Sequence, residues 1–257
     1  VAITGDGIND ALALKSADIG IAMGKRGTDV ARDIADLVLI DDNFASLVQG
    51  VKQGRRTYDN IKKFTKYFLA VNFDEILLVA TTLFLRLPLP LLPLQILWVN
   101  LITDSLPALS LVFENGEDVM KSKPRKEKSL LDGIWRYILL AGLFAFIASI
   151  AVYLLATSQN LSYAKITTLV LTTIILFELL FVYTCRSDKS LFKIGIFSNK
   201  WLNYSVLISI ALHLALLYTP LGFVFGVVPL TFGDWLFILP FAVSGIFIFE
   251  VYKLIKR

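Results

Sequence analysis

Six apolar stretches, at about 67–85, 94–113, 135–157, 166–184, 203–220 and 234–252, constrain this chain more than any other feature. Each approaches the roughly twenty residues that a helix needs to cross a bilayer core of about 30 Å. Without water, backbone polar groups must be satisfied inside the segment, so runs of this length and continuity read as membrane helices. Composition agrees: 56% of residues are hydrophobic, against about 45–50% in soluble domains. Charge is unevenly spread, with nineteen of the forty-six charged side chains in residues 1–66. A single cysteine, Cys185, excludes a disulfide scaffold, and the apolar content excludes intrinsic disorder. The net charge of +4 reads as orientation in a bilayer rather than nucleic-acid binding.

The polar head reads as α/β. Strand-like residues 1–4 meet a Gly-Asp-Gly turn, and helix-compatible sequence follows through Ala17. A strand from Ile19 to Met23, a helix-compatible run from Thr28 to Ala35 and a strand from Leu37 to Ile40 complete the alternation. This pattern predicts a parallel sheet fragment. Three strands are too few for an independent domain, and the chain opens on Val1 without a signal-peptide pattern. The expectation is therefore the tail of a longer protein. Asp41, Asp42 and Asn43 offer helix N-caps, and a break is expected at Gly50 or Gly54 in the helical run that starts there. A helix from Tyr58 to Leu85 would be about 42 Å long, so part of it is expected outside the bilayer as a stalk. The expected division is a head over 1–54, a stalk over 55–66 and a six-helix membrane domain over 67–257.

The loops set the orientation. Lys121, Lys123, Arg125, Lys126, Lys128 and Arg136 precede the third span. Arg186, Lys189, Lys193 and Lys200 separate the fourth from the fifth, and Lys253, Lys256 and Arg257 end the chain. The opposite loops carry Arg86 and Lys165. The positive-inside rule places the head, both basic loops and the C-terminus in the cytoplasm.

Charge at membrane depth costs roughly 2.5–3.5 kcal/mol per residue on insertion scales, so each acid there needs a reason. Asn72 and Glu75, three apart, share a helix face, with Asp74 between them pointing elsewhere. Asn100, Thr103 and Asp104 follow i, i+3, i+4 and form an oxygen-rich stripe. Glu178 stands alone in the fourth span. Pro107 lacks an N–H, which frees the carbonyl of Thr103 and loosens the helix; loosened backbone at this depth is tolerated where it lines an ion site. These hard oxygen donors suit Ca²⁺. The competing reading is that Asn and Thr hydrogen-bond across helices and that Glu178 is protonated. For Asp74 the interfacial reading is favoured. His213 reads as a packed residue, and Cys185 is given no role.

In the head, Thr4-Gly5-Asp6-Gly7-Ile8-Asn9-Asp10 puts two carboxylates four apart just after a strand, where α/β folds bind ligands. Carboxylates there hold Mg²⁺ together with phosphate oxygens; alone, Gly-Asp-Gly also fits a plain turn.

The run TGDGINDALALKSADIGIAMG, followed by DDNFASLVQGVKQGRRTYDNIKKF, resembles the hinge end of the haloacid-dehalogenase-like phosphorylation domain of P-type cation-transporting ATPases. LPLQILWVNLITDSLPALSL resembles the sixth membrane helix of their calcium-pump subgroup. The resemblance covers nearly the whole chain and is most specific over residues 1–120. It implies an aspartyl-phosphate cycle that exports Ca²⁺, with Mg²⁺ and ATP as cofactors. By this resemblance Asp6 matches a Mg²⁺ carboxylate, and Asn9 and Asp10 support it, with Thr4, Gly5 and Gly7 forming the same loop. Asn72, Glu75, Asn100, Thr103, Asp104 and Glu178 match ligands of the transported cation. Keeping both the Asn72–Glu75 pair and Glu178 is more similar to a two-site pump than to a one-site secretory-pathway pump. Leu12 replaces a common proline, and Asp74 stands where glycine is usual.

The phosphorylated Asp-Lys-Thr-Gly-Thr motif and the nucleotide domain are absent from these residues, so the implied partners include the N-terminal part of the same pump, besides lipid and cation. By itself the chain is expected to be inactive. A plasma membrane is the expected location. A monovalent-cation pump (Na⁺, K⁺ or H⁺) is the second reading, and a truncated, non-catalytic ion-binding membrane protein the third. Heavy-metal pumps are disfavoured because no span contains Cys-Pro-Cys.

Overall fold

The computed structural model describes residues 1–114, 119–120 and 129–255. Lys121, Lys123, Arg125, Lys126 and Lys128, expected as a basic loop, and Lys256 and Arg257 lie outside the described residues. The described residues form two compact units, one built on Val1–Tyr58 and one on the residues from Asp59 onward.

The first unit is a three-stranded parallel sheet in the order β1 (Ala2–Gly5), β2 (Ile19–Met23), β3 (Leu37–Leu39). Ala2 pairs with Ile19, and Ile21 with Leu37. Helices α1 (Ala11–Ser16) and α2 (Asp29–Ile34) connect the strands. Alternation along β2 feeds both faces of the sheet: Ala22 packs with Leu14 and Ala31, while Ile21 and Met23 pack with Leu39 and Leu47. A 3₁₀ turn over Ile8–Asp10 precedes α1, so the first helix is shorter than its sequence pattern suggested.

Helix α3 (Phe44–Phe84) is one uninterrupted helix, so the break expected at Gly50 or Gly54 does not occur. A helix interior tolerates glycine at a cost of about 1 kcal/mol, and the flanking residues are strong enough formers to carry it. Its start is capped by Asn43, whose Oδ1 accepts the Ala45 N–H at 2.9 Å, while Asp41 bonds no helix N–H and accepts the Asn43 N–H at 3.2 Å and the Ser46 hydroxyl at 2.6 Å. Asp42 is not a cap. At a positive φ of 55° it accepts the N–H groups of Lys25 and Arg26, both at 2.9 Å.

In the second unit, α4 (Pro93–Trp98), a π-helical turn (Val99–Asp104), α5 (Ser105–Ser110) and a 3₁₀ turn (Leu111–Phe113) make one interrupted span. Next come α6 (Trp135–Ser158), α7 (Tyr163–Cys185), the short α8 (Leu191–Ile194), α9 (Lys200–Tyr218), the short α10 (Leu221–Phe225) and α11 (Phe232–Ile255). Among the described residues, six segments are long and apolar enough to cross a membrane.

Helix α7 is the centre of this unit. Its apolar window is 83% buried, against 28–44% for the other five. Leu139, Leu143 and Ile147 on α6, and Leu207 and Ile208 on α9, stay exposed as a lipid-facing surface requires. Burial around α7 is aromatic: the Phe181 ring lies 6.0 Å from Tyr137, 6.1 Å from Tyr67 and 5.2 Å from Phe249. α11 approaches closely because residue 245 is glycine, where a Cβ would meet the Phe177 ring at 2.5 Å. The threonines of α7 bury their hydroxyls by bonding back along the helix, Thr172 to the Thr168 carbonyl and Thr173 to that of Leu169, both at 2.8 Å.

Candidate functional site

Four carboxylates from three elements are buried together in the membrane unit. Asp74 and Glu75 come from α3, Asp104 from the last position of the π turn, and Glu178 from α7; their exposures run from 0 to 6%. Each interacts electrostatically with the other three. Five of their oxygens receive no hydrogen bond from any donor of another kind, namely Asp74 Oδ1, Glu75 Oε1, Asp104 Oδ2 and both oxygens of Glu178, with Asp104 and Glu178 close enough to share a proton between them. Buried polar atoms are rarely left in this condition, and a buried uncompensated charge is among the most costly arrangements a fold can hold.

The second span supplies its donors through irregular backbone. A π-helical turn widens the helix over Val99–Asp104, a feature frequent at functional sites. The loosening expected at Thr103 from Pro107 thus spreads over a whole turn. Side-chain hydroxyls take the carbonyls there: Ser105 Oγ donates to the Asn100 carbonyl at 2.7 Å and Thr103 Oγ1 to that of Val99 at 3.0 Å.

The expected residues are brought together unevenly. Asn100 Nδ2 donates to Glu75 Oε2 at 2.7 Å, which joins the two spans directly. Asn72 instead bonds its own helix, donating to the Phe68 carbonyl at 2.8 Å. Two participants were not expected at the site from the sequence. Tyr67 donates its hydroxyl to Asp104 Oδ1 at 3.3 Å, and Asp74 is buried at 1% exposure with an orphaned oxygen. A helical-wheel argument turned Asp74 away from Glu75, but packing buries both sides of α3 at this level. Among the described residues, no three His, Cys, Asp or Glu side chains are gathered as tightly as a bound metal ion requires. His213 is a packed residue as expected, its Nε2 3.1 Å from Thr172 Oγ1.

The head loop is a separate construction. Asp10 Oδ2 accepts the N–H groups of both Asp6 and Gly7 at 3.0 Å. These two bonds, the Gly7 one foremost, hold the Asp10 carboxyl below its usual range. Gly5 is required beneath it, because a Cβ there would meet Asp10 Cβ at 2.5 Å. The Thr28 N–H donates to the Asp6 carbonyl at 2.8 Å and ties in the loop before α2. The Asp6 side chain, at the end of β1, is left exposed, as are Thr4 and Asn9. One carboxylate thus shapes the loop and the other is presented by it.

Residues 88–255 match the family model described as Cation transporting ATPase, C-terminus. The chain is 46% identical over 250 residues to a protein named calcium-transporting ATPase from Bacillus subtilis (strain 168), covering 93% of this chain and 27% of that relative. It is 42% identical over 279 residues to calcium-transporting ATPase 1 of Bacillus cereus, covering all of this chain and 31% of the relative. With calcium-transporting ATPase type 2C member 1 of Mus musculus it shares 37% identity over 262 residues, again across the whole chain and 28% of the relative. The chain therefore spans about 30% of the length of the curated relatives it matches.

Proposed function

The chain belongs to the C-terminal family of cation-transporting ATPases, and on that premise we propose that it is the membrane half of an ATP-driven pump exporting Ca²⁺ from the cytoplasm through an aspartyl-phosphate cycle. One observation carries the choice of cargo: five orphaned oxygens on four buried carboxylates, with no cationic side chain among the described residues to neutralise them. A hard divalent cation bound by oxygen ligands relieves such a cluster. In this reading Glu75, Asp104 and Glu178 supply the charge, and Asn72, Asn100 and Thr103 supply neutral oxygens. Asp74 adds a fourth carboxylate that sets how strongly the site prefers a divalent ion. Binding draws α3, the π turn and α7 together against the mutual repulsion of their acids. The deformable π turn is the element suited to that movement.

The head is the end of a haloacid-dehalogenase-like phosphorylation domain. Its donor set fits Mg²⁺ through the exposed carboxylate of Asp6, with Asp10 positioning the loop. Mg²⁺, when bound there, neutralises the transferring phosphoryl group. ATP and the phosphorylated aspartate are supplied by sequence outside this chain. Helix α3, shared by the head and the first span, is the element through which phosphorylation reaches Glu75. The positive-inside distribution supports a cytoplasmic head and C-terminus, in a plasma membrane.

The test is phosphoenzyme formation from ATP by the full-length protein in membranes. Micromolar Ca²⁺ should control it. Control by Na⁺ or K⁺ instead would overturn the calcium assignment, and no phosphoenzyme under any ion would overturn the pump.

A further inference from the structure

Away from the acid cluster, the ends of four helices in the membrane unit enclose a cavity of about 1050 Å³. Its wall is formed by α3 around Lys62–Lys66, the start of α6, the stretch after α7 and the end of α11. It combines two chemistries. Among the described residues, its polar lining carries Lys62, Lys63, Lys66, Arg136, Lys189 and Lys253 together with Asp59 and Asp188. Its apolar side is Leu140, Phe144, Ile248 and Phe249, with Trp135 and Tyr252 at the level where spans α6 and α11 meet the interface.

Two of the cations differ in how they are satisfied. Lys253 is fully engaged, donating to the Thr184 carbonyl at 2.8 Å and to Glu250 Oε1 at 3.0 Å. Lys66 is 6% exposed, yet among the described residues its ammonium makes no hydrogen bond. It lies 4.6 Å from the centre of the Tyr137 ring, and its nearest carboxylate oxygen, on Asp188, is 3.8 Å away. Held by a long ion pair and an aromatic ring rather than by hydrogen bonds, the Lys66 ammonium keeps its donors for an anion at the wall of this basic cavity. Arg136, at the same cavity, is exposed and stacks over Trp135 at 5.3 Å.

The geometry points to a binding site for an anionic phospholipid, its phosphate on Lys66 and Arg136 and its acyl chains along Leu140, Phe144 and Ile248. A soluble phosphate compound would leave that apolar wall in water, whereas a lipid covers it. The aromatic residues at the rim belong to the belt that membrane proteins place at headgroup level. Basic pockets between membrane helices recognise lipid headgroups by this combination. The site uses none of the residues assigned to cation transport, so it stands or falls separately from the calcium reading.

The experiment reconstitutes the full-length protein into phosphatidylcholine vesicles carrying a minor fraction of brominated phosphatidylglycerol or, in parallel, brominated phosphatidylcholine. The signal is the fluorescence quenched in the native protein but absent from Trp135→Phe, which isolates the cavity from the other tryptophans. The expected result is stronger quenching by the anionic lipid, with Lys66→Gln lowering its preference about fivefold, the effect of one basic residue at a membrane surface. Arg136→Gln, at an exposed position, should lower it as well and serves if Lys66→Gln does not fold. Lys200→Gln, exposed on α9 and outside the cavity, should leave it unchanged. Equal quenching by both lipids in the native protein would overturn the site. So would a loss of preference in Lys200→Gln as large as in the cavity variants, or displacement of the lipid by inorganic phosphate alone.

Discussion

Among the described residues, two buried polar clusters of the membrane unit are built on opposite principles. Around Arg186 every donor is used. Nε and Nη2 grip Glu114 at 3.0 and 2.9 Å, Nη1 reaches the carbonyls of Gly195 and Ile196 at 3.1 and 2.9 Å, and Nη2 also meets Ser198 Oγ at 2.5 Å. Asn199 donates to Glu114 Oε2 at 2.8 Å, and Asn60 to the Glu114 carbonyl at 3.0 Å. The cluster of Asp74, Glu75, Asp104 and Glu178 has four acids, five unpartnered oxygens and, among the described residues, no base. Burial is similar in the two, so burial does not separate them; completeness does. The first cluster fixes the ends of α7 and α9 against the second span, whereas the second leaves five carboxylate oxygens without a hydrogen-bond partner outside the cluster.

Breaking each cluster should therefore have opposite consequences. The largest effect is expected from Asp104→Asn, which removes a central charge of the acid cluster. In the full-length protein it should weaken Ca²⁺ activation of phosphoenzyme formation at least about 100-fold, near 2.7 kcal/mol; an unchanged Ca²⁺ dependence would remove Asp104 from the site. Arg186→Met strands the buried Glu114 carboxylate and should destabilise the protein by about 3–5 kcal/mol. Thermal unfolding in detergent reads this, and Arg186→Met with Glu114→Leu should regain much of the loss. Glu178→Gln should do the reverse. By removing one of four mutually repelling acids it should raise the unfolding temperature without Ca²⁺ by the equivalent of about 1–2 kcal/mol. It should also abolish most of the stabilisation that Ca²⁺ gives the native protein. Lower stability in Glu178→Gln would mean that the acid cluster is as structural as the Arg186 network.

The smallest effect concerns the head. The carboxyl of Asp10 titrates lower in the folded loop than in the unfolded chain, because the Gly7 and Asp6 N–H groups bond its ionised form. Its contribution is complete above the unfolded value near 3.9 and is lost as pH falls through the lower folded value. Asp10→Asn should flatten the acid limb of Mg²⁺-dependent phosphorylation measured below about pH 3.9, where the native loop begins to lose this contribution. An identical acid limb in both proteins would show that Asp10 does not hold the loop.

Much of this was legible in the sequence, for identifiable reasons. Apolar runs of bilayer length pointed to six helices, and among the described residues six are long and apolar enough to cross a membrane, since lipid forces the backbone into helices. Alternation of short strands and helices marked the parallel order of β1, β2 and β3. Side-chain chemistry also singled out Glu75, Asn100, Asp104 and Glu178, because acids and amides in an apolar run stand out. Other features escaped. Gly50 and Gly54 weakened a helix that its other residues maintain, and Asp42 resembled a cap although its backbone geometry turned it to the Lys25–Arg26 loop. Tyr67 is an ordinary interfacial residue until its hydroxyl is found on Asp104. Glu114 and Arg186 sit 72 residues apart, and no periodicity connects them.

The sequence by itself determined that this is a multi-span membrane protein and which residue types stand at membrane depth, because hydropathy and intramembrane charge are properties of single segments. Only the tertiary structure decided that Asp74 joins the acid cluster, that Asn72 bonds its own helix, and that Arg186 is neutralised while Glu178 is not. Those outcomes depend on which helices pack together and at what depth. Electrostatic compensation is a property of neighbours in space, and neighbours in space are what a linear chain does not record.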